Sequence, residues 1–249
     1  MKKKVLVIMM KAIILNSGMG SRLKELTKNV TKSMVKINDN ESIFSKAMNV
    51  LLNYDIDEFI ITTGYLNDVL EDYAKETFPD VNFTFVHNPV YDSTNYIKSI
   101  DYIRDDISDD LFLLHGDLIF DREVVDMLCD CEESCMVVDS QSEIPEKDFK
   151  AKIEGDYVKK VSVNYFGGDA LACQPLYKLN NKDWCCWKEN IRKFCENDNT
   201  NVYAEESLNE LLDNQIKIKG IDIKGYYCSE IDTKEDLNNY KKYSGEIND

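Results

Sequence analysis

"KAIILNSGMGSRL", from Lys11 to Leu23, decides how this chain is read. Lys11 to Asn16 is an apolar run of strand length bounded by polar residues. Two glycines, Gly18 and Gly20, follow at once, then Arg22, and Lys32 stands ten residues further on. Glycines at a strand end let backbone N–H groups approach a ligand closely. An arginine and a lysine nearby supply the charge that phosphate oxygens need. Two familiar phosphate loops do not fit. A Walker A loop needs Lys-Ser/Thr after its last glycine, where this chain has Ser21-Arg22. A dinucleotide fingerprint needs a third glycine or alanine where Leu23 stands. What remains is a first strand, a G-x-G-S-R-L loop and a lysine about ten residues later, a pattern suited to a nucleoside triphosphate.

Outward from that stretch, apolar runs alternate with amphipathic ones. Further strands are expected at Glu58–Thr63, Asn82–His87, Leu111–His115 and Ser134–Asp139, with helices at 42–55, 66–77, 95–106 and 122–130 between them. Such alternation predicts an α/β fold, a Rossmann-like and mostly parallel mixed sheet with helices on both faces. Ligands of such sheets collect at the C-terminal strand ends. After residue 145 the pattern changes. "FKAKIEGDYVKKVSV" predicts a hairpin turning at Glu154-Gly155-Asp156. A strand over 165–179, helices over 182–197 and 205–214, strands within 216–223 and 225–232 and a last helix from Lys234 are expected beyond it. We read one domain over 10–245, with 1–9 as an N-terminal extension and about 145–230 as a hairpin and helix lid subdomain over the acceptor.

The 249 residues carry 30 Lys and Arg against 46 Asp and Glu, a net charge of −16. Such a field repels nucleic acid and anionic lipid, so neither is an expected partner. It also repels a free nucleotide, so a nucleotide site needs its own cations or metal. "MKKKVLVIMMK" opens like an export signal, but Lys11 interrupts the apolar stretch and no small-residue cleavage site follows, which predicts a cytoplasmic protein. No stretch approaches the roughly 20 apolar residues of a bilayer span. The eight cysteines form no CxxC pair and only His87 and His115 accompany them, so zinc of the usual spacing is not expected and reduced thiols are.

With these pieces assembled, the chain resembles the nucleoside-triphosphate transferase family, which contains the sugar-phosphate nucleotidylyltransferases. Within it the likeness is to compact bacterial cytidylyltransferases acting on phosphocholine or 2-aminoethylphosphonate. Six stretches carry it in order: "AIILNSGMGSRLKELT", "TKSMV", "ITTGY", "HNPVYDSTN", "LLHGDLIF" and "SEIDTKEDL". The family usually reads Leu-Ala-Ala/Gly-Gly where Leu15-Asn16-Ser17-Gly18 stand, and Pro-Lys at Thr31-Lys32.

The resemblance implies transfer of CMP from CTP to a small phosphorylated or phosphonate amino-alcohol, with release of pyrophosphate. It gives Arg22 and Lys32 the departing pyrophosphate and Asp117 and Asp232 a Mg²⁺ ion on the α-phosphate. It places Leu15, Asn16, Ser17, Gly18, Met19, Gly20 and Ser21 around the nucleotide, with Gly64 and Tyr65 beside the base and Asn95 near the ribose or acceptor. The residues themselves allow plainer readings: Gly64 as a strand-end glycine, Asn95 as a helix cap. For the acceptor, Lys150 and Lys152 are candidates to grip its phosphate, or else one solvent-facing hairpin edge; Asp169 and Glu206 are candidates for its ammonium. Tyr165, Phe166, Trp184, Trp187 and Tyr227 are candidate aromatic faces. CTP and a small acceptor are thus the expected partners of a monomer or homodimer. A sugar-1-phosphate acceptor, a phosphorylated amino acid and a catalytically silent nucleotide-binding protein are the alternatives.

Overall fold

The computed structural model describes residues 10–246; the proposed extension over 1–9 lies outside them. Strand β1 (Met10–Asn16) runs along the middle of a nine-stranded sheet. It pairs in parallel with β2 (Ile56–Thr63) on one side and β4 (Asp110–His115) on the other. Beyond β2 lies β3 (Phe83–His87), also parallel. The chain therefore steps outward from β1 to β2 to β3, then returns across β1 to lay down β4. That reversal opens a crevice at the C-terminal ends of β1 and β4, the ligand position of open α/β sheets.

The second half of the sheet is mixed. β9 (Ala170–Leu179) runs antiparallel between β4 and β6 (Cys135–Asp139), and β10 (Lys219–Asp222) lies parallel to β6. The expected hairpin forms as β7 (Lys150–Glu154) and β8 (Tyr157–Ser162), turning at Gly155-Asp156. It continues the same sheet: β8 pairs with β10, and β7 pairs with β9.

Alternation along β1 divides the core. Ala12 and Ile14 face one side, with α1 (Ile43–Leu51), α2 (Asn67–Thr77) and α4 (Arg122–Cys129) packed there through Phe44, Met48, Leu70 and Val124. Ile13 and Leu15 face the other, covered by α3 (Tyr96–Asp101), α5 (Asn181–Glu196) and α6 (Ala204–Asn209) through Ile97, Trp184, Trp187 and Leu208. Trp184 and Trp187 are thus core residues and not acceptor faces. Helix α6 stops short of the expected 214 because the chain leaves the helix into turns and Asp213 adopts φ 75°, although Leu211 and Leu212 remain buried.

One small ribbon is absent from the sequence reading. β5 (Leu118–Phe120) pairs antiparallel with β11 (Cys228–Glu230), Leu118 opposite Glu230. A third apolar cluster of Leu23, Val35, Ile37, Ile43, Ile119, Ile231, Leu237 and Tyr240 sits under it. Through that cluster the last helix, α7 (Lys234–Tyr243), braces both the ribbon and the glycine loop. Among the described residues no helix is long and apolar enough to cross a membrane. All eight cysteines are free thiols.

Candidate active site

The loop after β1 is shaped by contacts that its sequence demands. Gly20 takes the left-handed conformation at φ 61°, and a Cβ there would stand 2.8 Å from the Cβ of Lys32. Glycine is therefore needed both for the turn and for the lysine stem that crosses it. Leu23 is fully buried and pins the loop, while Thr27 Oγ1 donates to the Gly20 carbonyl at 3.1 Å. The loop's other flank rests on β2: Ser17 Oγ donates to Thr62 Oγ1 at 3.1 Å. Gly64 admits close approach there, since a Cβ on it would lie 2.5 Å from the Ser17 carbonyl oxygen.

Facing the loop, the β5–β11 ribbon brings distant carboxylates together. The Ile231 amide donates to the Asp117 carbonyl at 2.9 Å. The Asp232 amide donates to Asp236 Oδ2 at 3.0 Å, within the capping box that starts α7. The Lys32 ammonium bonds both Asp117 and Asp232, and Arg22 pairs with the other oxygen of Asp232 at 2.9 Å. Glu230 lies beside them, hydrogen-bonded to His115 Nδ1 at 2.7 Å.

The electrostatics follow from this crowding. Burial pushes the Asp117 carboxyl up, but the Lys32 ammonium and His115 outweigh it and hold Asp117 below the ordinary aspartate value. Glu230 is pushed up by burial and by the charge of Asp117, against the pull of His115. Burial lowers His115, yet its hydrogen bond to Glu230 leaves it above the usual histidine value. Lys32 is raised because the carboxylates around it overcome its desolvation.

Oxygen donors converge here in the manner a hard divalent cation requires. Carboxylate oxygens of Asp148, Glu230 and Asp232 lie within 4.8 Å of one another, as do ligand atoms of His115, Asp117 and Glu230. Asp117 Oδ1 is buried with no hydrogen-bond partner. A buried carboxylate oxygen left unpartnered is costly in a protein alone, and a cation removes that cost. The residues fit such an ion.

Around this centre opens a cavity of about 630 Å³, lined by Leu15, Asn16, Gly18, Gly20, Ser21, Arg22 and Lys32 on one side. Asp117, Glu230 and Asp232 form its base, and Tyr96, Asp148, Phe149, Asn164 and Tyr203 its far wall. A second cavity of about 380 Å³ adjoins it, sharing Leu15, Gly18, Tyr96, His115 and Asp117 and adding Ser17, Tyr91 and Asn95. Arg22 keeps a side chain 60% exposed, free to follow a ligand. Met19 lines neither cavity and is exposed. Nor do Gly64 and Tyr65: Tyr65 instead ties the loop, its amide donating to the Ser17 carbonyl at 3.3 Å and its hydroxyl to the Lys28 carbonyl at 3.1 Å. Asn95 both caps α3, accepting from the Tyr96 amide at 2.7 Å, and lines the second cavity.

The acceptor candidates from the second half fall elsewhere. Lys152 pairs with Glu154 along the hairpin at 2.7 Å, and Asp169 accepts from the Tyr165 hydroxyl at the surface. Glu206 points outward into a separate shallow depression, while its neighbour Glu205 turns inward. Tyr227 packs on Tyr240 and Tyr243. Lys150 is neither a phosphate grip nor a solvent-facing edge: it is 0% exposed, and its ammonium donates to the carbonyls of Pro145 at 3.0 Å, Glu146 at 3.4 Å and Val163. It ties together two segments of the cavity wall, with the Phe166 ring 4.2 Å from the ammonium. Lys150→Met, which keeps the stem but removes the donors, is expected to cost about 2 kcal/mol in urea denaturation. It should also speed proteolysis within 141–148; unchanged stability and cleavage would remove the clamp.

Sequence reading passed over Glu230, although a signal for it was present. It stands two residues before Asp232 in "SEID", and alternate residues of an extended segment share a face. Tyr96, Asp148, Phe149 and Tyr203 carried no such signal, because they reach the cavity from three separate parts of the chain.

A first strand ending in a glycine loop, with a lysine gripping two carboxylates 115 residues apart in sequence, is the arrangement expected of nucleotidyl transfer. The nucleotidyl transferase family profile matches residues 11–141. The chain belongs to that family. This nucleotidyltransferase is similar to the CTP:phosphoglutamine cytidylyltransferase of Campylobacter jejuni: the two are 28% identical over 92% of this chain and 98% of that one. It is 30% identical to the choline-phosphate cytidylyltransferase of Haemophilus influenzae over 46% of this chain and 47% of the relative. Among solved structures, the CTP:phosphocholine cytidylyltransferase of Streptococcus pneumoniae superposes with a TM-score of 0.75 at 20% identity, covering 95% of this chain and all of that one. That likeness shows the shared mixed α/β fold.

Proposed function

We propose that the protein transfers CMP from CTP, with Mg²⁺, to a small phosphorylated or phosphonate acceptor bearing an amino group, and releases pyrophosphate. The observation that carries the transfer reading is the convergence of Arg22, Lys32, Asp117 and Asp232 beneath the glycine loop. CTP and an amino-bearing acceptor are supported by the relatives, among which the full-length match is named for phosphoglutamine and others for choline phosphate and 2-aminoethylphosphonate.

In this reading the loop from Leu15 to Ser21 cradles the triphosphate with backbone N–H groups. Asp117 and Asp232, with Glu230 beside them, would hold the Mg²⁺, which would supply positive charge to the reacting phosphate. An acceptor phosphate or phosphonate oxygen is already ionised at neutral pH and needs no general base. It attacks the α-phosphorus in line, forming the new P–O bond as the bond to the bridging oxygen of the β-phosphate breaks. Lys32 and Arg22 receive the charge on the departing pyrophosphate, so positioning and charge neutralisation carry the rate. The acceptor enters past the far wall of Asp148, Phe149, Asn164 and Tyr203. Burial and the charge of Asp232 push the Asp148 carboxyl up, which makes a cationic nitrogen a favourable neighbour for it.

The test is pyrophosphate release with each of the four common NTPs and Mg²⁺. The acceptors are phosphocholine, phosphoethanolamine, 2-aminoethylphosphonate, phosphoserine, phosphothreonine and several sugar-1-phosphates. Release with CTP and an amino-type acceptor is expected. Release only with sugar phosphates would overturn the acceptor class while leaving the transfer reading in place.

A further inference from the structure

Four rings close on one another along the far wall of the main cavity. Tyr96 stands edge-on to His115 with centroids 4.6 Å apart and tilts against Tyr203 at 6.0 Å. Phe149 meets Tyr203 at 5.1 Å and His115 at 6.4 Å. Of these, Tyr96 and His115 border both cavities and stand at their junction.

Behind this wall lies a carboxylate that nothing above has used. Glu205, on α6, is 2% exposed and accepts hydrogen bonds from the hydroxyls of Tyr96 and, at 3.0 Å, Tyr177. Among the described residues no lysine, arginine or histidine forms an ion pair with it. A buried carboxylate whose hydrogen-bond donors are neutral hydroxyls is expensive, and docking of α6 does not require one. Ala204 and Leu208 anchor that helix in the core, and Trp187 Nε1 donates to the Ala204 carbonyl at 3.2 Å and to Ser207 Oγ at 3.0 Å. Glu205 holds the hydroxyls of Tyr96 and Tyr177, and of the two only Tyr96 reaches the cavities.

We infer that Glu205, which touches neither cavity, is a positioning residue for the acceptor: by taking the Tyr96 hydroxyl it fixes Tyr96 as a bare ring at the junction of the two cavities. The inference rests on the transfer reading above and adds a consequence for the acceptor. With the Tyr96 hydroxyl turned away, His115 Nδ1 committed to Glu230 and Phe149 wholly apolar, these three residues present ring surface, while the polar groups of the wall are Asp148, Asn164 and the Tyr203 hydroxyl. The ring portion suits a sparsely hydroxylated part of the acceptor.

The experiment compares wild type with Glu205→Gln, Tyr96→Phe, the double variant and Tyr177→Phe. CTP is the donor, and the acceptor is whichever of the panel above the wild type turns over fastest. Glu205→Gln and Tyr96→Phe are each expected to raise acceptor KM about tenfold, by more than kcat falls, with the Kd for CTP alone moving less than twofold. The double variant should be no worse than either single one, because both remove the same tether. Tyr177→Phe, off the cavity, should shift acceptor KM less than threefold. A drop in melting temperature with acceptor KM unchanged would make Glu205 a structural residue only, and additive effects would break the link to Tyr96. Either result overturns the inference while wild-type turnover still supports the transfer reading. Absence of wild-type turnover with every donor and acceptor overturns that reading, and this inference with it.

Discussion

Asp117→Ala is expected to lower turnover by about a thousandfold while leaving the protein folded, since one preorganised charge at a phosphoryl centre is worth that order. Asp117 lies in the turn between β4 and β5, at the crevice, and carries a buried oxygen without a hydrogen-bond partner. Its removal leaves Lys32 still paired with Asp232, so the loop and the ribbon keep their anchor. Loss of its charge also relieves Glu230, whose carboxyl should titrate at lower pH in the variant, a change carbon NMR of labelled glutamate would read. Circular dichroism checks the fold. Undiminished Mg²⁺-dependent turnover in this variant would remove Asp117 from the metal site.

Lys32→Ala should cost transfer a factor on the order of a hundred to a thousand and, unlike Asp117→Ala, should also destabilise the fold by a few kcal/mol. Among the described residues the lysine is the one ammonium bonded to both Asp117 and Asp232, and without it these face Glu230 with Arg22 and His115 for relief. The sign of the pH dependence follows. In the wild type Asp117 is held below its ordinary value, so its contribution is present above the unfolded carboxylate range and fades as pH falls through it. In the variant the crowded carboxylates rise, and protonating them relieves the fold. The stability gap between the two proteins should therefore narrow as pH is lowered from about 8 toward about 4, near the unfolded aspartate value. Chemical denaturation across that range measures it; a constant gap, or an unchanged transfer rate, would place Lys32 outside the charge cluster.

How legible the site was in the sequence depended on how local each contribution is. The run from Lys11 to Leu23 announces a buried strand and a phosphate loop because strand length, glycine spacing and charge all fall within thirteen residues. The strands of the first half other than β5 emerged within two residues of their observed ends for the same reason, while the helix expected over 95–106 ends at Asp101. Periodicity is a local property, and parallel strands buried on both faces read as unbroken apolar runs. Glu206 and Glu205 mark where this fails. The sequence "YAEESL" offers two adjacent acids at a helix start, and only the packing of α6 against Trp187 and Tyr177 turns Glu205 inward and Glu206 to solvent. Lys150 is a second case. An alternating hairpin pattern cannot announce that one of its lysines will be buried by the loop before it and the turn after it.

By itself, then, the sequence determined the α/β class, the order of the strands and helices through the first half save the short β5, the glycine loop with Arg22 and Lys32, and the acidity that obliges a nucleotide site to bring its own cations. The tertiary structure alone decided what faces that loop. Asp117 and Asp232 meet at Lys32 because β5 and β11 pair across more than a hundred residues, and the far wall gathers Tyr96, Phe149 and Tyr203 from three separate elements. Backbone propensity and side-chain period act over a turn or a strand, whereas such a meeting is set by which buried faces find one another when the chain collapses.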